Sequence, residues 1–209
     1  MSAPGLELVV QHDGKWTPFP LWTDEDPGSW AEQTVHALAQ RRGVPLEPDQ
    51  RAVVVQTWAR MVEHARSVRQ GDGAYVTTAY AFVPMGSVTA GDLVPMAVVQ
   101  LSGVSGEAGL TQDQAVDLLV QPPELRVTEP LVDELDTACG TAVRVRQLLR
   151  EPVVGGPDRI AASLVYVWRS PVEGTVVTLD AWFDSPTEAA LVEPSFDALA
   201  STLEMRLDA

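Results

Sequence analysis

The side chains able to do chemistry are few and scattered along this 209-residue chain. Cys139, the sole cysteine, sits in the turn-like run Thr137-Ala138-Cys139-Gly140-Thr141. A thiol becomes a nucleophile only where a base or a helix N-terminus lowers its pKa. The three histidines, His12, His36 and His64, all fall in the N-terminal third, and neither a His pair nor a Cys-x-x-Cys stands at metal-ligand spacing. Cys139 therefore reads as a packing residue, Glu32 with His36 as an exposed i, i+4 pair on a helix, and no catalytic residue, cofactor or metal ligand is assigned. Gly103, Gly106 and Gly109 precede a helix but lack the dinucleotide spacing and a following lysine, and Glu107 repels phosphate, so they read as a loop. Gly-x-Ser-x-Gly is absent. The acid pairs Glu134 with Asp136 and Asp180 with Asp184 share strand faces and read as solvated.

The strongest polar pattern is a row of arginines. Over Thr141 to Arg150, Val143, Val145 and Leu149 take one strand face and Arg144, Arg146 and Arg150 the other. Such a stripe suits bidentate capture of a partner's carboxylates. Its competing reading is internal pairing with Glu124, Glu129, Glu134 and Asp136 of the neighbouring strand.

The elements that must position these groups are punctuated clearly. Ile160, Ala162, Leu164, Tyr166 and Trp168, then Val177, Leu179, Ala181 and Phe183, give two period-two strands about the turn Pro171-Val172-Glu173-Gly174, an antiparallel hairpin. Ser185, Pro186 and Glu188 mark a helix start, Pro194 should restart or kink that helix, and Phe196, Leu199, Leu203 and Leu207 form its apolar stripe. Ser29 with Glu32 and the terminating Gly43 bound one N-terminal helix; Pro48 opens a second, carrying Val54, Trp58, Met61, Ala65 and Val68. Thr111 and Gln114 form a further capping box. Strands at about 75–84 and 93–104 are apolar on both faces, Val76, Tyr80 and Phe82 against Tyr75, Ala79, Ala81 and Val83. An antiparallel sheet usually gives one face to water. The far face is thus covered by the chain itself or by a partner.

With 29 acids against 14 bases the formal net charge is −15, which disfavours nucleic acid and anionic membranes as partners. A lone cysteine excludes an intramolecular disulfide, no charged-then-apolar leader opens Met1 to Trp16, and no stretch reads as a membrane helix, so a cytoplasmic protein is expected. The element order gives one α+β domain over residues 1–209, a mainly antiparallel sheet with N-terminal helices and a long C-terminal helix packed on it.

That pattern resembles the PsbP-like fold group. The likeness is carried by the helix containing Trp30, the strand Ala142-Val143-Arg144-Val145-Arg146, and the closing unit from Val165-Tyr166-Val167-Trp168 through Ser185-Pro186 to Phe196-Asp197-Ala198-Leu199. The group includes secretion-effector chaperones, lipoproteins and photosystem or trafficking factors, binders without a common catalytic site. The resemblance implies a non-enzymatic binding or adaptor protein, such as a chaperone for a secreted or apolar protein partner. This chain departs from the lipoproteins in lacking an N-terminal cysteine, and adds two N-terminal helices. The expected partner surface comprises Trp182, Val165 and Val167, with Arg144, Arg146 and Arg150 at its margin. The alternatives are a small-molecule-binding domain or small enzyme with a pocket between helices and sheet, and a structural subunit or homo-oligomer.

Overall fold

The computed structural model describes residues 6–68, 70–71, 74–84, 89–105, 109–153 and 155–207. In chain order the elements are β1 (Leu6–Val9), β2 (Trp16–Pro18), α1 (Pro27–Arg42), α2 (Pro48–Val68), β3 (Gln70–Gly71), β4 (Ala74–Phe82), β5 (Ala97–Ser105), α3 (Gln112–Leu119), β6 (Leu131–Thr137), β7 (Gly140–Glu151), β8 (Arg159–Arg169), β9 (Thr175–Phe183), α4 (Pro186–Ser201) and β10 (Glu204–Leu207). The protein is α+β with a large antiparallel sheet in the order β2-β4-β5-β9-β8-β7-β6, to which β3 adds beside β4. The strands β6 to β9 form a meander, and β5 joins it by pairing with β9.

The β8–β9 hairpin sets the register of the whole sheet. Leu164 faces Ala181 and Tyr166 faces Leu179 across the pair, so their shared face is continuous and apolar. Gly174 closes its turn at φ 70, and a Cβ there would stand 2.9 Å from the Cα of Gly109. The two backbones touch because both residues lack side chains, and Leu110 N–H donates to Gly174 O at 2.9 Å.

Two cores lie on opposite sheet faces. On one, Tyr166, Trp168, Val177, Leu179 and Phe183 pack with Trp16, Phe82 and the α4 residues Val192, Phe196 and Leu199. On the other, Ala79 and Ala81 of β4 and Val83 just after it meet Phe19, Leu21 and the inner sides of α1 and α2, where Val35, Trp58 and Val62 are fully enclosed. The Trp58 indole N–H donates to Leu93 O at 2.8 Å and ties α2 to the segment before β5. Farther along that face, Val165, Val167 and Val176 lie under Ala115 of α3. Gln112 pins one end of α3 to Val167 O at 2.7 Å, and Gln147 pins the other to Leu119 O at 3.1 Å and Gln121 N at 2.8 Å.

Several local expectations shift. Asp26, not Ser29, caps α1: its carboxylate accepts Ser29 N–H at 2.8 Å, because Pro27 at the first helical position places the cap one residue before it. Glu32 bonds Arg51 of α2 at 3.1 Å rather than His36. The α4 helix runs through Pro194, which is inside it, and ends at Ser201. Leu207 therefore leaves the expected helical stripe: residues Glu204–Leu207 pair with β1, Leu6 opposite Leu207, and the Leu207 side chain is exposed. Backbone partners on β1 satisfy groups that a further helical turn would have used. Tyr75 and Val76, read as opposite faces of one strand, have side chains outside the described residues.

Candidate functional site

Between α2 and α3 the sheet face carrying Val165 is not fully covered. Gln100 of β5 and Asp180 of β9 are register partners there, and their neighbours Val99, Leu101, Leu179 and Ala181 point the other way into the α4 core. Above them lies an open groove of about 760 Å³. Met61 and His64 of α2 form one wall, Val94 and Val98 the apolar base, Trp182 the far wall, and Asp184 and Glu188 one end. This volume falls in the usual range of small-ligand sites.

Asp180 is the unusual group in it. It has no hydrogen-bond or ion-pair partner among the described residues, and the surrounding protein pushes its carboxyl from the ordinary 3.8 up to about 7 by burial. Desolvation disfavours a charge that no cation or donor compensates. The side chain still opens into the groove, so a ligand can supply what the protein does not. The charged and titratable groups sharing the groove are Arg60 and His64 on α2, Asp184 after β9, and Glu188 in the first turn of α4. Asp184 is already engaged by Arg159 at 3.2 Å.

Trp182 is 47% exposed. Its indole N–H donates to Glu151 at 3.1 Å, which holds the ring upright beside β7. The same ring borders a second groove of about 370 Å³ with Leu125, Leu149 and Pro152, so it is the partition between two concavities.

The six residues expected to form one partner surface are divided between the two sheet faces. Trp182 stands exposed on the groove side, and Arg150, exposed at the end of β7, lines the smaller groove with it. Val165 and Val167 share its sheet face but are buried under α3, which corrects their reading as surface residues. Arg144 and Arg146 lie on the opposite face beneath α4, since strand parity separates them from Val143, Val145 and Leu149. They are consumed internally. Arg144 binds Asp133 through Nε at 2.9 Å and Nη2 at 2.6 Å, and Asp197 of α4 through Nη1 at 2.9 and 3.0 Å; Arg146 binds Asp133 at 2.9 Å and Glu193 at 3.1 Å. Arg150 makes a looser pair with Asp158 at 3.6 Å. Of the expected partners, Glu134 and Asp136 sit on the β6 face turned away from the arginines, and Glu129 takes Arg126 instead.

Asp180 was missed as a site because it was grouped with Asp184 as a solvated pair. The signal was present: it is the sole charge within Thr175–Phe183, a strand buried at nearly every other position.

Cys139 lies apart from the groove, half-buried in the β6–β7 turn with its sulfur 3.5 Å from the Thr137 hydroxyl. Burial raises its pKa. Titration with an aromatic disulfide reagent at pH 7.5 is expected to label Cys139 severalfold more slowly than free cysteine, speeding as pH rises past 9; fast labelling at pH 7 would contradict a packing role. No cluster of three or more metal-ligating side chains forms among the described residues. None of the helices there is long and apolar enough to cross a membrane.

The fold and groove define an α+β protein with helices on both faces of an antiparallel sheet and an open cleft beside Trp182 on the face that also carries α1, α2 and α3. No family model and no curated protein matches the chain. Among solved structures it matches LpqN, involved in cell envelope biogenesis of Mycobacterium tuberculosis, at 11% identity and a TM-score of 0.43, over 98% of this chain and 87% of that one. A likeness of that size leaves the functional reading to the groove's own geometry.

Proposed function

We propose that this is a small-molecule-binding protein whose ligand occupies the groove between α2 and the β5–β9 pair, and that a PsbP-like arrangement of sheet, N-terminal helices and C-terminal helix is the frame that holds it open. The observation carrying the reading is a cleft of about 760 Å³, based on apolar side chains with a single uncompensated carboxyl at its floor and an exposed tryptophan as its wall. A concave site of this volume that combines apolar side chains with convergent polar groups suits a small ligand. An adaptor would need a bare apolar sheet face, and α1 and α2 cover one part of that face while α3 covers Val165, Val167 and Val176. Arg144 and Arg146 likewise have carboxylates within the chain and hold α4 rather than a partner.

A neutral environment-sensitive dye such as Nile red tests the groove. Saturable one-to-one binding to the full chain is expected, weakened about tenfold by Trp182→Ala, which removes the wall while leaving the melting temperature within a few degrees because the ring is half solvated. Binding that Trp182→Ala leaves untouched, or no saturable binding at all, refutes the site.

A further inference from the structure

Resting on that groove as the ligand site, we propose that its natural ligand class is the amphiphilic amine: an ammonium group seated against Asp180 and Gln100, and an apolar body lying along Met61, Val94 and Val98 toward the face of Trp182. Asp180 and Gln100 are cross-strand partners at the groove floor, and neither has a hydrogen-bond partner among the described residues. A primary ammonium brings three donors and a positive charge to a carboxylate and an amide oxygen that otherwise face no donor. The half-exposed Trp182 offers a ring face to the same cation or to the methylenes beside it.

The electrostatics around the groove favour this sign of charge. Asp184 and Glu188 stand at one end, and the whole chain carries a formal charge of −15, a field that concentrates cations at its clefts. Arg60 and His64 oppose it from α2; both side chains are exposed to solvent, where their repulsion is screened, whereas Asp180 acts from the groove floor, partly covered by its neighbours. A carboxylate-bearing ligand would meet Asp180 at the floor and have only the exposed Arg60 to offset it. The burial that drives the Asp180 carboxyl up to about 7 makes binding pH-dependent, because the amine needs the ionised form.

Calorimetric titration of the full chain with decylamine, decanol and decanoate at pH 8 separates the possibilities. Decylamine is expected to bind at least tenfold tighter than either isostere, and Asp180→Asn to bring it down to the decanol affinity while leaving decanol itself unchanged. Decylamine affinity should fall about tenfold between pH 8 and pH 6 as Asp180 takes up its proton, and Arg60→Gln should tighten it severalfold. Decanol binding as well as decylamine, or decylamine indifferent to Asp180→Asn, overturns the amine assignment while Nile red binding keeps the groove. Decanoate binding tightest overturns it too, with Arg60 as the anchor. Failure of all three decyl probes together with Nile red removes the groove reading along with the inference.

Discussion

Asp180→Asn is expected to stabilise the free protein at pH 8 by about 3 kcal/mol more than it does at pH 4.5. The folded carboxyl titrates near 7 and the unfolded one near 3.8. Between those values the folded chain holds a proton that the unfolded chain has released. Stability from this group is therefore full below 3.8, declines as pH rises, and is lost once pH passes 7. At pH 8 the folded protein carries an ionised, uncompensated carboxylate on its sheet, a penalty of at most about 4 kcal/mol that water in the groove reduces, since Asp180 is only partly covered. Asparagine keeps the shape and removes the charge. In a chain of this size the change appears as a rise in melting temperature of about 5–10 °C at pH 8, reduced by the amide's own unmet hydrogen bonds. Thermal melts of both proteins across pH 4.5 to 8 check this. Equal shifts at every pH would mean that Asp180 stays ionised throughout and that the groove is wetter than its walls imply.

Arg144→Met is expected to cost about 2–4 kcal/mol in urea unfolding, and Arg144→Lys to recover little of it. The guanidinium joins three elements: β7, which carries it, β6 through Asp133, and α4 through Asp197. The Tyr166 hydroxyl donates to Asp197 as well, and burial raises its pKa, so it remains a donor across the accessible range. Asp133 and Asp197 are both partly exposed, 38% and 32%, so water offsets part of the loss at each. The remainder is felt most at Asp197, which keeps one hydrogen bond, from the buried Tyr166, in place of three. Lysine restores the charge without the forked pair of bonds. Adding Asp197→Leu to Arg144→Met should return at least half of the stability, since the uncompensated charge is then gone. A single variant within 0.5 kcal/mol of the parent would show the network to be a solvated surface feature instead.

The local chemistry of the chain decides several of its elements. Alternation over Ile160–Trp168 and Val177–Phe183, the glycine in the Pro171–Gly174 turn, the Thr111 and Ser185 caps and the Gly43 stop are each decided within a few residues, and each appears in the folded chain. Parity also assigned side chains to faces correctly: Val165, Val167 and Trp182 share one, and Arg144, Arg146 and Arg150 share the other. What parity does not carry is the identity of the layer above a face. Helix α3 lands on Val165 and Val167 because Gln112 and Gln147 fasten it there, and α4 brings Asp197 and Glu193 onto arginines some fifty positions earlier. The segment Glu204–Leu207 follows a helical apolar spacing and still becomes a strand, because β1, at the far end of the chain, offers it an edge. Asp180 shows the division most plainly. Its place beside Trp182 on one strand face follows from period two alone. Its enclosure, its raised pKa and its want of a partner come from the β5–β9 pairing and the approach of α2, contacts between residues about eighty to a hundred and twenty positions apart, and burial depends on contacts that no local pattern encodes.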